Sequence, residues 1–172
     1  MIMPLNELNA ASEAEASELF RSCCGASSWI DAMVKRRPYE SVDQLLATAD
    51  SIWESSGKAA WHEAFSHHPR IGESASAAER TGRAQAWSQG EQAGARMASS
   101  GVHDQMALVN RAYEAKFGHI YIASAAGKSA EDLLSLARVR LSNDPETELK
   151  AAAEEQGKIT RLRLNQLFGG AQ

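Results

Sequence analysis

The sequence predicts an all-α protein, a single bundle-like domain of about eight or nine helices. Three observations support this. Alanine is frequent and β-branched residues are sparse, a balance that favours helix over strand. Helix-start signatures recur: Ser41-x-x-Gln44, Ser76-x-x-Glu79, Ser88-x-x-Glu91 and Ser129-x-x-Asp132 each set a serine three residues ahead of a carboxylate or amide. Between them apolar residues return at helical spacing, and no convincing strand or internal repeat is found.

Asn9 can cap a first helix running to about Cys24, stopped by Gly25. Ser27 or Ser28 opens a short helix with Trp29, Ile30 and Met33, closed before Pro38. Ser41-x-x-Gln44 starts a third, with Leu45, Leu46, Ile52 and Trp53, ended by Gly57. Lys58 to Ser66 makes a fourth, carrying Trp61 and Phe65 on one face. The boxes at Ser76 and Ser88 open further helices, and Gly101 breaks the chain. His103 to Phe117 sets Met106, Val109, Tyr113 and Phe117 on one stripe, with Gly118 just past its end. His119 to Ile122 is an apolar, extended connection. Ser129 starts a helix through Leu133, Leu136 and Val139. Asp144-Pro145 is a cap followed by proline at the first helical position, and the last helix runs to about Phe168, leaving a frayed tail. No linker interrupts residues 1–172, which read as one domain.

With 172 residues, 44% hydrophobic and 23% charged, the chain reads as soluble and globular. The formal net charge is −4 and Lys35-Arg36-Arg37 is too short to be a nucleic-acid footprint, so a small polar ligand suits it better than DNA or RNA. Cys23 and Cys24 are adjacent, rarely a geometry for a mutual bridge, which points to a reducing compartment, the cytoplasm. No apolar run approaches the roughly 20 residues of a membrane span, and no signal pattern opens the chain.

The stretch Phe65-Ser66-His67-His68-Pro69-Arg70-Ile71-Gly72 carries two of the five histidines. Pro69 pushes His68 out of the helical region, so His68 stands on a stiffened turn from which it can pass a proton. The plainer reading is a helix end, where a histidine meets the negative pole of the dipole. His62 and His67 are not a zinc pair, because five residues rotate about 140° around a helix. Ser88-x-x-Glu91 reads first as a capping box, although a carboxylate near His68 would also orient an imidazole. Arg163 lies in an apolar row with Ile159 and Leu167. It either snorkels, its stem covering the core, or turns a planar fork inward to a carboxylate or ureido group. Asn110 and Tyr113 read as structural, and Arg140 as a distant surface residue.

Several motifs coincide in order: Ser28-Trp29, Arg37-Pro38-Tyr39, Ser41-Val42-Asp43-Gln44-Leu45, His68-Pro69-Arg70-Ile71-Gly72, Ser88-x-x-Glu91-Gln92, Asn110-x-x-Tyr113-x-x-Lys116-Phe117-Gly118, Gly127-Lys128-Ser129 and Lys158-Ile159-x-x-Leu162-Arg163-Leu164. From about Leu5 to Phe168 the chain resembles the 2-oxo-4-hydroxy-4-carboxy-5-ureidoimidazoline (OHCU) decarboxylase family of urate breakdown. The resemblance implies an all-α fold, a homodimer, no cofactor and no metal. It also implies decarboxylation of OHCU to (S)-allantoin. His68 matches the catalytic residue and Glu91 its carboxylate partner. Pro69, Ser88, Gln92 and Arg163 match substrate-contacting positions, and Gly118, Ile120 and Ile122 lie in a segment whose backbone the family uses. Two departures stand out. Many members read Phe-Gly-Phe-Pro-Phe where this chain has Phe117-Gly118-His119-Ile120-Tyr121, and Asp-Leu-Ala-Gly where it has Arg70-Ile71-Gly72. The role of Arg70 is open. A non-catalytic helical module for a ureide or purine-like ligand, or a hydrolase acting on a related ring, are the competing classes.

Overall fold

Capping side chains set four of the helix starts, at Ser12, Ser41, Ser129 and Asp144. In the structure, a computed structural model that describes residues 2–72 and 100–169, eight helices are present among the described residues. They are α1 (Leu5–Ala10), α2 (Glu13–Cys23), α3 (Ser27–Lys35), α4 (Val42–Glu54), α5 (Lys58–Ser66), α6 (Ser100–Phe117), α7 (Ala130–Arg140) and α8 (Pro145–Phe168). No strand occurs among those residues, so the all-α expectation holds. The boxes at Ser76 and Ser88 lie outside the described residues.

The described residues fall into two compact units, one drawn from Met1–Ala64 with Gly157–Gln172 and the other from Phe65–Gln156. In the first, α2 packs on α3 and α3 on α4. Phe20 meets Trp29 edge-on at 5.9 Å between ring centroids, and the Trp29 indole donates to Ala49 O at 3.1 Å. Here two helices replace the single one expected from Asn9 to Cys24. Ser12 and Glu15 form a reciprocal capping box that restarts the helix. Asn9 sits inside α1 and pairs with the Tyr39 backbone instead, donating to its carbonyl at 2.8 Å and accepting from its amide at 2.9 Å. Arg37 closes α1 by donating to Leu8 O and Ala11 O at 2.8 and 2.7 Å. The start of α3 is capped from a distance: Glu63 on α5 accepts from both the Ser27 amide and its hydroxyl.

In the second unit α6 packs on α7 around Ile71, Met106, Tyr113, Tyr121, Leu133 and Leu134. Gly101 does not break the chain; it is part of α6, where a glycine is tolerated at a modest cost. Gly118 does end that helix, in the left-handed region at φ 74°. Ser129 and Asp132 form the expected box, and Asp144 caps α8 through the Glu146 and Thr147 amides. The buried side of α7 is Ala130, Leu133, Leu134 and Ala137, while Leu136 and Val139 are exposed, Val139 by 67%. Lys116 stitches α6 to the end of α7, donating to Leu141 O at 2.6 Å and Asn143 O at 2.8 Å.

The second unit also buries a charge. Glu148 is fully enclosed and accepts from the Tyr113 hydroxyl, from Arg140 Nε at 2.8 Å and Nη2 at 2.5 Å, and from Asn143 Nδ2 at 2.9 Å. Arg140 is therefore no surface residue, a correction that its position at a helix end, alternating with apolar residues, did not foreshadow. Removing one partner of a buried pair leaves the other uncompensated. Glu148→Ala is expected to lower unfolding free energy by about 3 kcal/mol or more, and Glu148→Gln by less, because an amide oxygen still accepts. Chemical denaturation of both variants checks this; a silent Glu148→Ala would remove the network from any role in stability.

Candidate active site

His68 stands where its neighbours dictate. Helix α5 ends at Ser66, Pro69 bars its continuation, and the His68 amide donates to Phe65 O at 3.1 Å, closing the turn. The histidine and Pro69 are half-buried, whereas His62 and His67 are exposed. Downstream the backbone is pinned: Gly72 takes a left-handed conformation at φ 87°, which a side chain would resist. No cluster of three metal-ligating side chains occurs among the described residues.

The segment after Gly118 joins the same unit. From Ile120 to Ala125 it has no regular secondary structure, so its amides and carbonyls are not consumed by a helix. It is held by side chains instead. Arg140 Nη1 donates to Ile122 O at 2.6 Å, Tyr121 Oη to Leu133 O at 3.2 Å, and the Ser124 amide donates to Glu155 at 2.7 Å. His119 Nδ1 lies 2.9 Å from Ile120 O. The His119 ring lies 5.1 Å from Phe65 and 5.5 Å from Tyr113. Phe65 is the last apolar residue before the His68 turn, so this stack couples the turn to the Gly118–Ile122 backbone. Of those three positions Gly118 is exposed, Ile120 half-buried and Ile122 buried. The Tyr113 phenol is held well above the usual tyrosine range by burial, reinforced by its bond to Glu148. Burial likewise pushes Tyr121 up to about 12.

Arg163 belongs to the first unit. It is only 5% exposed, so its head does not reach water and snorkelling is excluded. Its Nη1 donates to Cys23 O at 3.5 Å, and Ile159 and Leu167 beside it are buried. A buried guanidinium retains its charge and its fork geometry. Next to it, burial pushes the Cys24 thiol from 9.0 up to about 11, while the Ala26 amide, the Thr160 hydroxyl and the Arg163 charge pull the other way. Glu91, Ser88 and Gln92 lie outside the described residues. Thus His68 and Pro69 share one unit with Gly118, Ile120 and Ile122, and Arg163 lies in the other. Arg140, Glu148, Glu114 and His119 were not singled out by sequence; Arg140 meets Glu148 8 positions on, Glu114 meets Arg70 44 positions back and His119 meets Phe65 54 positions back, and only the histidine departs visibly from the family pattern.

The described residues define an all-α protein in which His68, on a proline-ended turn, shares one compact unit with the irregular backbone of residues 120–125. The chain belongs to the OHCU decarboxylase family, whose sequence model matches residues 9–165. It is 32% identical over 149 residues to a uric acid degradation bifunctional protein of Arabidopsis thaliana, covering 87% of this chain and 46% of that protein. The chain thus spans less than half the length of that bifunctional relative. It is 28% identical over 169 residues to a 2-oxo-4-hydroxy-4-carboxy-5-ureidoimidazoline decarboxylase of Amia calva, covering 96% of this chain and 95% of that one. A solved OHCU decarboxylase, crystallised in the presence of (S)-allantoin, matches with a TM-score of 0.77 at 30% identity, over 93% of this chain and 100% of the other.

The Cys24 thiol carries a pH consequence. Its folded-state value lies above its unfolded one, so the associated stability is complete below pH 9.0 and is lost as pH rises towards about 11. Urea midpoints measured from pH 8 to 11 are expected to fall more gently for Cys24→Ala than for the unmodified chain. Equal slopes would show that the thiol ionises in the fold as easily as outside it.

Proposed function

We propose that this chain decarboxylates OHCU to (S)-allantoin without a cofactor, acting as a single domain. Family membership across residues 9–165 carries the reading. The likeness to a decarboxylase solved in the presence of (S)-allantoin supports it. A homodimer in the cytoplasm, serving a small-molecule substrate, completes the proposal; no helix among the described residues is long and apolar enough to cross a membrane.

The substrate explains why side chains suffice. One ring carbon bears both a carboxylate and a hydroxyl, and the adjacent carbon is double-bonded to nitrogen. When the bond to CO₂ breaks, its electron pair moves towards that C=N, which serves as the sink. Protons are then added to that ring nitrogen and to the ureido-bearing carbon, and the hydroxyl proton leaves, giving the carbonyl of allantoin. His68 is the residue assigned to move a proton at the hydroxyl or the developing anion, with Glu91 holding its imidazole. Arg163, Ser88 and Gln92 orient the polar ring and ureido group, Pro69 shapes the site, and backbone groups at Gly118, Ile120 and Ile122 complete it. Fixing one orientation lets a single face take the proton, which yields one enantiomer.

With substrate generated in situ and allantoin followed by circular dichroism, His68→Ala is expected to melt normally and lose about 10²- to 10⁴-fold in turnover. Near-native turnover would reduce His68 to a helix end. Arg163→Lys is also expected to turn over poorly, since lysine keeps the charge but not the planar fork; kinetics like those of the unmodified chain would take Arg163 out of the site.

A further inference from the structure

One edge of α6 registers the chain that follows His68. Asn110 Nδ2 donates to Ile71 O at 3.0 Å. One turn further on, Glu114 grips Arg70 at two points, Nε to Oε1 at 2.5 Å and Nη2 to Oε2 at 3.0 Å. One turn earlier, Met106 and His103 face Gly72: a Cβ built there would lie 3.5 Å from Met106 Cγ and 3.8 Å from His103 Nδ1. Positions 103, 106, 110 and 114 form a single helical stripe. Arg70, Ile71 and Gly72 are therefore each placed against the same rigid element, two to four residues from His68. Upstream, the His68 amide is tied to Phe65 O. The turn is fixed on both sides of the histidine.

The Arg70–Glu114 pair is poorly explained by stability. Its side chains are 45% and 28% exposed, and ion pairs with that access to water contribute little to folding. Its geometry is nevertheless the demanding one, a planar guanidinium matched to both carboxylate oxygens, which fixes direction as well as distance. A pair of this kind is suited to holding a backbone in one place. Proton transfer is sensitive to such placement: a displacement of the order of 1 Å can cost about 100-fold in rate.

We propose that Arg70 and Glu114 are positioning residues for His68: their two-point pair, with the Asn110 bond beside it, holds the His68 turn on α6 so that the imidazole meets the reacting group at one distance. The proposal rests on the assignment of His68 as the proton-transfer residue. In this role Arg70 and Glu114 act without touching the reacting atoms. Arg70 instead acts through the backbone it anchors, and this gives the Arg70-Ile71-Gly72 variant of the motif a role of its own.

The test is a double-mutant cycle of Arg70→Ala, Glu114→Gln and the two combined, with Arg70→Lys as a fourth variant, read by steady-state kinetics and thermal melts. Each single change is expected to lower kcat by about 10- to 100-fold with KM and melting temperature nearly unchanged. The combined change is expected to be no worse than the stronger single one, because the same pair is lost in each. Arg70→Lys should stay impaired, since it retains charge without the fork. Unchanged kcat in the single variants, or strictly additive losses, overturns the proposal. A raised KM in Arg70→Ala with a silent Glu114→Gln also overturns it, and places Arg70 on the substrate. His68→Ala is measured alongside. If it keeps turnover, the assignment of His68 fails. The positioning claim is then decided by the His68 imidazole resonances, compared by NMR between the unmodified chain and Glu114→Gln at fixed pH. A shift supports it and coincident spectra refute it. If His68→Ala is inactive while the pair variants are fully active, only the positioning claim fails.

Discussion

A carboxylate without access to water survives in a fold only when its charge and lone pairs are met by donors, because the cost of desolvating it is several kcal/mol. Glu148 is that group here. Tyr113 comes to it from α6, Arg140 from the end of α7 and Asn143 from the loop between α7 and α8. The same arginine reaches on to Ile122 O and lies 4.9 Å from the centre of the Tyr121 ring. The irregular segment after Gly118 thus gets its shape from a charge it does not touch. Apolar packing of Tyr113 and Tyr121 alone would leave the Ile122 carbonyl unanswered and the segment free to slide. The buried pair gives the unit a specific arrangement as well as whatever stability it contributes.

The helices were largely legible in sequence because their start signals are local. Ser41, Ser129 and Asp144 each accept from amides two or three residues on, so a short window contains the whole interaction. Several errors arise where a partner is distant. Asn9 looked like a cap and instead serves Tyr39, 30 positions away, while the Ser12–Glu15 box that does start α2 was passed over. Ser27 begins α3, but its cap is Glu63, 36 positions on. Which side of α7 is buried was left open by sequence, because Leu133, Leu134, Leu136 and Val139 offer two apolar stripes, and the position of α6 selects between them.

The site divides similarly. The turn that carries His68 and Pro69 was readable from proline geometry, and the helix end at Gly118 from its place after an apolar helix. The buried state of Arg163 was one of two readings that spacing left open; enclosure, a property of the fold, decided it. Arg140 was misjudged because a charged residue near a helix end is ordinarily solvated, and nothing nearby announces Glu148. Arg70 likewise needed Glu114, 44 positions away, before its role could be stated.

The order of the chain has a consequence for its synthesis. All of the second unit lies in one uninterrupted run, Phe65–Gln156, whereas the first joins Met1–Ala64 to Gly157–Gln172. The Met3 amide donates to Leu167 O at 2.7 Å across that gap. A ribosome delivers every residue of the second unit before those that close the first. The early helices must therefore wait to complete their unit until α8 has emerged to its end. Closing a loop of that length carries an entropic cost that grows only slowly with the residues between. Exposed apolar helices are, however, the kind of nascent surface that chaperones and aggregation both seek. The vulnerable interval in the life of this protein is thus the time between the translation of Ala64 and that of Phe168.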